Sequence, residues 1–376
     1  MAQSIEDLIP DYIRGLPVYV PGRPIEEVER ELKIHAVKLA SNENPLGPSP
    51  RAVAAAKRAL EHANRYPDGG AHALREVLAQ RTGVSMDEIF VALGSSEIID
   101  LASRVILRAG LQGLTSHGSY APFSVAIRAS GAELVLVPQR NFAFDLKAMA
   151  QAVTPKTAVI YLANPNNPTG TAFRSEELEE FLASVPEGVL VVLDEAYIHY
   201  APSLSRRKSE EIYRSRKNLL ILRTFSKVYG LAGMRIGFAI GQPTLISAMN
   251  KLKTPFNTSG VAQAAALAAI DDREHVERCI ASNANERKRL SEGLHKIGLR
   301  PVPSETNFIF IEVGPDAQEI CNELLQLGVI VRPLGWMGFP EAMRVSVGTA
   351  DENEKCLAAM AQVLAKRAGK GQLAAR

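Results

Sequence analysis

The 376-residue chain has three cysteines, one tryptophan and no apolar run near the roughly 20 residues that span a bilayer. Cys279, Cys321 and Cys356 lie far apart, are odd in number and form no C-x-x-C. That pattern excludes a disulfide framework and reads as apolar filling in a reducing cytoplasm. The seven histidines are scattered without metal-ligand spacing, so no metal is expected. Neither sign of charge dominates: 43 Lys and Arg against 41 Asp and Glu leave a net +2, which argues against nucleic acid or an anionic membrane as partner. Met1–Asp7 carries acids where a signal peptide carries bases, and a soluble cytoplasmic chain is expected. Glycines are too sparse at the strand–helix junctions for a dinucleotide fingerprint or a P-loop.

What is present is 46% apolar and 22% charged residues, enough for one large domain and a smaller one. From Ile89 onward short β-branched runs alternate with longer amphipathic stretches. Ile89–Leu93, Glu133–Val137, Ala158–Leu162, Val189–Leu193, Leu219–Arg223 and Ile236–Ile240 read as strands, with helices such as Glu97–Leu107 and Ser175–Ser184 between them. Strands so short and apolar are expected to be buried on both faces, the signature of a mostly parallel α/β sheet flanked by helices. Functional residues then gather at the carboxyl ends of the strands. Past Lys253–Gly260 the rhythm changes to an Ala-rich helix, Val261–Ile270, a charged helix, Arg273–Ile297, and strand–helix–strand material. A large domain over residues 41–255 is therefore predicted, with a smaller α+β domain from 256–376 joined by the proline-broken residues 1–40.

Three segments carry chemistry. Arg223-Thr224-Phe225-Ser226-Lys227 directly follows a predicted strand. A lysine sheltered there has a lowered pKa and a free lone pair for attack on a carbonyl carbon; the plain alternative is a solvated loop lysine. Eight residues on, after Gly230 and Gly233, Arg235 can hold a phosphate bidentately. Val189–Leu193 ends in Asp194-Glu195-Ala196-Tyr197. A carboxylate at the mouth of a sheet can pair with a cationic ring nitrogen of the pyridoxal type, with Tyr197 reaching a neighbouring ring oxygen, or Asp194 can simply cap a helix. Asn164-Pro165-Asn166-Asn167-Pro168-Thr169-Gly170 is either a tight turn or a turn that aims Asn167 at a phenolate-type oxygen. A weaker fourth segment, Gly94-Ser95-Ser96-Glu97, fits an anion site at a helix start or a bare Ser cap.

With Ser41-Asn42-Glu43-Asn44-Pro45-Leu46-Gly47-Pro48, Arg65-Tyr66-Pro67-Asp68, Gly233-Met234-Arg235 and Met343-Arg344-Val345-Ser346-Val347-Gly348-Thr349 in the same order, the chain resembles the fold-type-I pyridoxal-phosphate aminotransferases, and within them the histidinol-phosphate aminotransferases. The resemblance implies the fold-type-I architecture and these roles. Lys227 carries the cofactor covalently and, once freed by substrate, moves the proton at the substrate Cα. Asp194 pairs with the pyridinium nitrogen, Tyr197 and Asn167 hold the phenolic oxygen, and Tyr120 stacks on the ring. Ser95, Ser96, Thr224, Ser226 and Arg235 hold the cofactor phosphate, joined by Tyr66 from the partner subunit of a homodimer. Tyr19, Asn44, Arg332 and Arg344 bind substrate, the arginines with Tyr19 gripping its anionic end. That end is the phosphate of histidinol phosphate or, in the second half-reaction, the α-carboxylate of glutamate, with 2-oxoglutarate as the amino acceptor.

The chain departs from the family pattern twice. Ser96 stands where an acid often follows the phosphate-loop glycine, and Ser116-His117-Gly118-Ser119-Tyr120 lacks the Pro-rich approach to the stacking aromatic, which leaves Phe123 as the other stacker. His117 reads as a loop residue without a catalytic partner. Trp336, Met337 and Phe339, in a Gly-rich loop before Arg344, read as substrate-side contacts or as packing. An aromatic amino-acid aminotransferase fits the same motifs, as does a pyridoxal-phosphate decarboxylase of a phosphorylated amino acid.

Overall fold

The computed structural model of the chain describes residues 4–18 and 22–374; Tyr19 lies outside them. The apolar runs pair into a seven-stranded sheet in the order Ile89–Ala92, Gly237–Ile240, Leu219–Thr224, Leu190–Asp194, Thr157–Ala163, Gln112–Ser116, Glu133–Val137. Every neighbouring pair is parallel except those of Gly237–Ile240, which runs antiparallel to both its partners. Leu219–Thr224 is buried at all six positions, and Leu190–Asp194 at all but its first, so helices must cover both faces. Two details depart from expectation. Glu133–Val137 is an edge strand with exposed positions rather than a doubly buried one, because nothing pairs beyond it. Gln112–Ser116 was not foreseen at all: its pattern QGLTS has no β-branched run, and it is a strand because it pairs on both sides, with Glu133–Val137 and Thr157–Ala163, while Gly113 leaves room for Ile127 where a Cβ would come within 2.5 Å.

The Ala-rich helix, Gly260–Asp271, does not begin the smaller unit as expected. It packs against the helix Pro50–Leu60, and the buried Ala262, Ala265 and Ala266 of the one and Ala52 and Ala56 of the other join the core of the central sheet. Small side chains on both helices permit this close approach. The change from one core to the other falls inside Arg273–Lys296, where Cys279 belongs to the large core and Leu290 and Leu294 to the small one. The small core lies on a three-stranded antiparallel sheet, Arg332–Pro333, Ala342–Ser346 and Phe308–Glu312, with Ala317–Gln326 and Ala350–Ala374 against it. Val37–Lys38 pairs with Val329–Ile330, whereas the short helix Asp11–Arg14 sits on Ala121–Ala129 of the large part, so residues 1–40 divide between the two. The three cysteines are buried thiols. Among the described residues no helix is long and apolar enough to cross a membrane.

Candidate active site

Parallel pairing turns the carboxyl ends of three strands to one edge. Ala163 is the register partner of Asp194, and Asp194 of Leu222. The loops that follow therefore open into one cavity of about 460 Å³. Ser95, Ser96, Tyr120, Asn167, Asp194, Tyr197, Thr224, Ser226, Lys227, Arg235, Arg332 and Arg344 all line it. Residues from both ends of the chain thus share one space, as expected for the mouth of a parallel sheet.

Asp194 and Lys227 are the electrostatic centre. Asp194 is buried at the end of its strand, and its Oδ1 accepts the Ala196 N–H at 2.9 Å, which turns the chain after the strand rather than capping a helix. Burial pushes its carboxyl up to about 7, offset in part by the Ala196 amide and by Lys227. Lys227 reaches into the cavity with Nζ donating to the carbonyls of Ser41 and Asn42 at 3.4 and 3.3 Å, and lies 5.4 Å from the Tyr197 ring centroid. Desolvation, then the Arg344 guanidinium, lowers its ammonium to about 8. A lysine so placed is deprotonated in an appreciable fraction at neutral pH, as a nucleophile or proton carrier requires.

One end of the cavity gathers groups of the kind that can hold an anion. The twelve-residue helix Ser95–Ile106 starts there with Gly94 as its cap residue at φ +89, and neither Ser95 nor Ser96 serves as a cap. Both serines line the cavity, with Arg235 alongside; a Cβ on Gly94 would come within 3.0 Å of the Arg235 guanidinium. Arg235 donates to Ser226 Oγ at 3.3 Å and to the carbonyls of Ala232 and Leu93 at 2.9 and 3.3 Å, while Thr224 Oγ1 accepts the Ser226 N–H at 3.0 Å. Ser96 Oγ is bonded to Tyr120 OH at 3.0 Å. Of the two candidate stacking aromatics, Tyr120 lines the cavity and Phe123 is fully buried, stacked on Tyr161 with centroids 5.0 Å apart. Burial raises the Tyr120 phenol to about 12.

At the other end stand Arg332 and Arg344, direct register partners on adjacent antiparallel strands, so both side chains leave the same face of the small sheet. Arg344 donates to Asn167 Oδ1 at 2.5 Å and to the Ala40 carbonyl at 2.8 Å. Asn44 does not join them. Its Nδ2 donates to the Val228 carbonyl at 2.8 Å and to Cys279 Sγ at 3.1 Å, behind the loop of Lys227, so it supports that loop and does not meet the cavity. The residue missed in its place is Asn42, held at φ +56 and 1% exposed. Asn42 donates to Tyr197 OH at 3.0 Å, accepts from Ser346 Oγ at 3.0 Å and presents its carbonyl to Lys227 and Asn307. Its trace in the sequence was its place in the motif Ser41–Pro48, which offered Asn42 and Asn44 alike; the left-handed backbone that suits Asn shows only in the structure. Tyr66 is 83% exposed and stacks on Phe256 at 4.6 Å, away from this cavity. His117 lies outside it too, edge-on to Phe339.

Comparison with known proteins agrees with this geometry. Residues 34–360 match the family described as aminotransferase class I and II. A histidinol-phosphate aminotransferase from Pseudomonas fluorescens is 43% identical over 357 residues, covering 94% of this chain and 96% of the relative. One from Anaeromyxobacter sp. is 44% identical over 360 residues, covering 95% and 99%. The crystal structure of a histidinol-phosphate aminotransferase from Sinorhizobium meliloti in complex with pyridoxal-5'-phosphate superposes with a TM-score of 0.87 at 31% identity, covering 95% of this chain and 98% of that one. With its fold, its lysine–aspartate pair and these relatives in hand, the chain belongs to the class I and II aminotransferases.

Proposed function

We propose that this protein is a pyridoxal-phosphate-dependent histidinol-phosphate aminotransferase, which moves the amino group of L-histidinol phosphate to 2-oxoglutarate and yields imidazole acetol phosphate and glutamate. The observation that carries the reading is Lys227 and Asp194 facing one cavity whose opposite end holds two arginines. The residues fit the cofactor. A buried carboxyl raised to about 7 is an acid short of a full counter-charge, and a cationic ring nitrogen would return it to the carboxylate. The helix start with Ser95, Ser96, Thr224, Ser226 and Arg235 would hold the phosphate, Tyr120 the ring face, and Tyr197 with Asn167 the phenolic oxygen. When bound, the cofactor supplies the electron sink that makes the substrate Cα–H acidic. Lys227 Nζ would carry the proton from the substrate Cα to the cofactor C4′, and from C4′ to Cα in the second half-reaction, while Asn42 would orient Tyr197, and Arg332 and Arg344 the anionic end of either substrate.

Tyr66 and Phe256 form an exposed aromatic pair, and Leu60 and Val53 of Pro50–Leu60 are exposed as well, which suits a cytoplasmic homodimer in which Tyr66 reaches the neighbouring cavity. A substrate panel tests the activity. Purified holoenzyme given histidinol phosphate, phenylalanine, tyrosine or O-phosphothreonine should change its cofactor absorbance fastest with histidinol phosphate and form glutamate when 2-oxoglutarate follows. No response to histidinol phosphate, or a preference for tyrosine, refutes the substrate assignment. Tyr66→Phe protein mixed with a Lys227 variant should recover activity in the hybrid if the tyrosine crosses between subunits.

A further inference from the structure

The turn Gly335–Met337 is pinned on both sides. Leu334 is fully buried and Met337 nearly so, and the N–H groups of Met337 and Phe339 both donate to the Leu334 carbonyl, at 2.9 and 3.2 Å. Phe339 is wedged against Phe310 and Phe142 at 5.0 and 6.2 Å. Gly338 at φ +91 makes the reversal possible. Between these anchors Trp336 remains 48% exposed on the cavity wall, with the Arg332 guanidinium carbon 5.0 Å from its ring centroid. An indole half exposed on so fixed a backbone contributes little to the core. It lies instead against a guanidinium that belongs to the anion-binding end of the cavity.

A planar guanidinium can stack on an aromatic face while its in-plane N–H groups stay available to an oxyanion. We propose that Trp336 is a positioning residue that holds the Arg332 guanidinium flat and so tightens the grip on the anionic end common to both substrates. The proposal rests on the reading above that Arg332 takes that end. A residue acting on the substrate's ring would distinguish histidinol phosphate from glutamate; one acting through Arg332 would not.

Trp336 is the single tryptophan of the chain, so indole fluorescence of the holoenzyme reports this position alone. Titrated inorganic phosphate should shift the emission of the unaltered holoenzyme and leave Arg332→Met almost unmoved. By calorimetry, Trp336→Ala should weaken phosphate binding roughly three- to thirtyfold, the range of a cation–π contact, and Trp336→Phe should recover most of it. In turnover, Trp336→Ala should raise KM for histidinol phosphate and for glutamate alike, with kcat within about twofold. A KM rise for histidinol phosphate alone would assign Trp336 to the substrate ring and overturn the proposal. Unchanged phosphate affinity in Trp336→Ala, or no phosphate binding to the unaltered protein, would overturn it as well. Phosphate binding that depends on Trp336, in a protein that leaves histidinol phosphate unreacted, would instead remove the substrate assignment and keep the role of Trp336.

Discussion

Replacing Asp194 by Asn separates what the fold tolerates from what the chemistry needs. The carboxyl moves from 3.8 in water to about 7 in the folded protein, and desolvation is the largest cause. That displacement corresponds to roughly 4 kcal/mol. The folded value lies above the unfolded one, so below pH 3.8 both states are neutral and the group has no effect. Between 3.8 and 7 the native state keeps its proton while the unfolded state releases it, and stability falls as pH rises; above 7 the full cost is present. The Asn amide oxygen can still accept the Ala196 N–H, so the substitution removes the charge and keeps the turn. The cofactor-free Asp194→Asn protein should therefore be more stable than the unaltered apoprotein by up to about 4 kcal/mol at about pH 8, and by about half as much at about pH 5.5. With cofactor bound the order reverses, because the carboxylate then has a cationic partner and the amide cannot replace it. Activity should fall by at least about two decades. Urea denaturation of both proteins, with and without cofactor, at the two pH values reads all of this. An Asp194→Asn apoprotein equal to or weaker than the unaltered one at the higher pH would show that the carboxyl is not held under strain by burial.

Three further outcomes are expected. Lys227→Ala should abolish turnover and the yellow colour of covalently held cofactor; a dialysed variant that stays yellow and still transaminates contradicts its role. Asn42→Ala removes the donor to Tyr197 OH and places Ala at φ +56. It should cost about 1–3 kcal/mol of stability and lower kcat by roughly tenfold, checked by melting and steady-state rates, with an unchanged kcat counting against Asn42 as the support of Tyr197. Arg223 bridges the buried Glu195 and the partly buried Glu210 at 2.8 and 2.6 Å. Arg223→Met leaves the buried Glu195 carboxylate without its cation and should destabilise the protein by about 3–5 kcal/mol, and a loss below about 1 kcal/mol in chemical denaturation would deny that Glu195 depends on that charge.

Much of the architecture was legible because it is local. Runs such as Leu219–Thr224 declare buried parallel strands by composition, and Ser175–Ser184 declares a helix by period. Gln112–Ser116 was illegible because its strand conformation comes from neighbours on both sides, not from its own residues. The Ala-rich helix was placed in the wrong unit because alanine suits any close helix contact, and only the matching alanines of Pro50–Leu60 show which. Asn44 and Asn42 are two positions apart in one motif, and the hydrogen bonds that separate a loop support from a cavity wall come from Val228 and Tyr197, far along the chain.

The sequence by itself determined the α/β class, the strand-end positions of Lys227, Asp194 and Asn167, and the chemistry that these residue types in that order permit, since each follows from patterns a few residues long. Only the tertiary structure decided that Arg332 and Arg344 stand side by side, that Tyr120 rather than Phe123 faces the cavity, and that Asp194 and Lys227 carry displaced pKa values. Register, direction of approach and desolvation arise from segments distant in sequence, and no short stretch of the chain contains them.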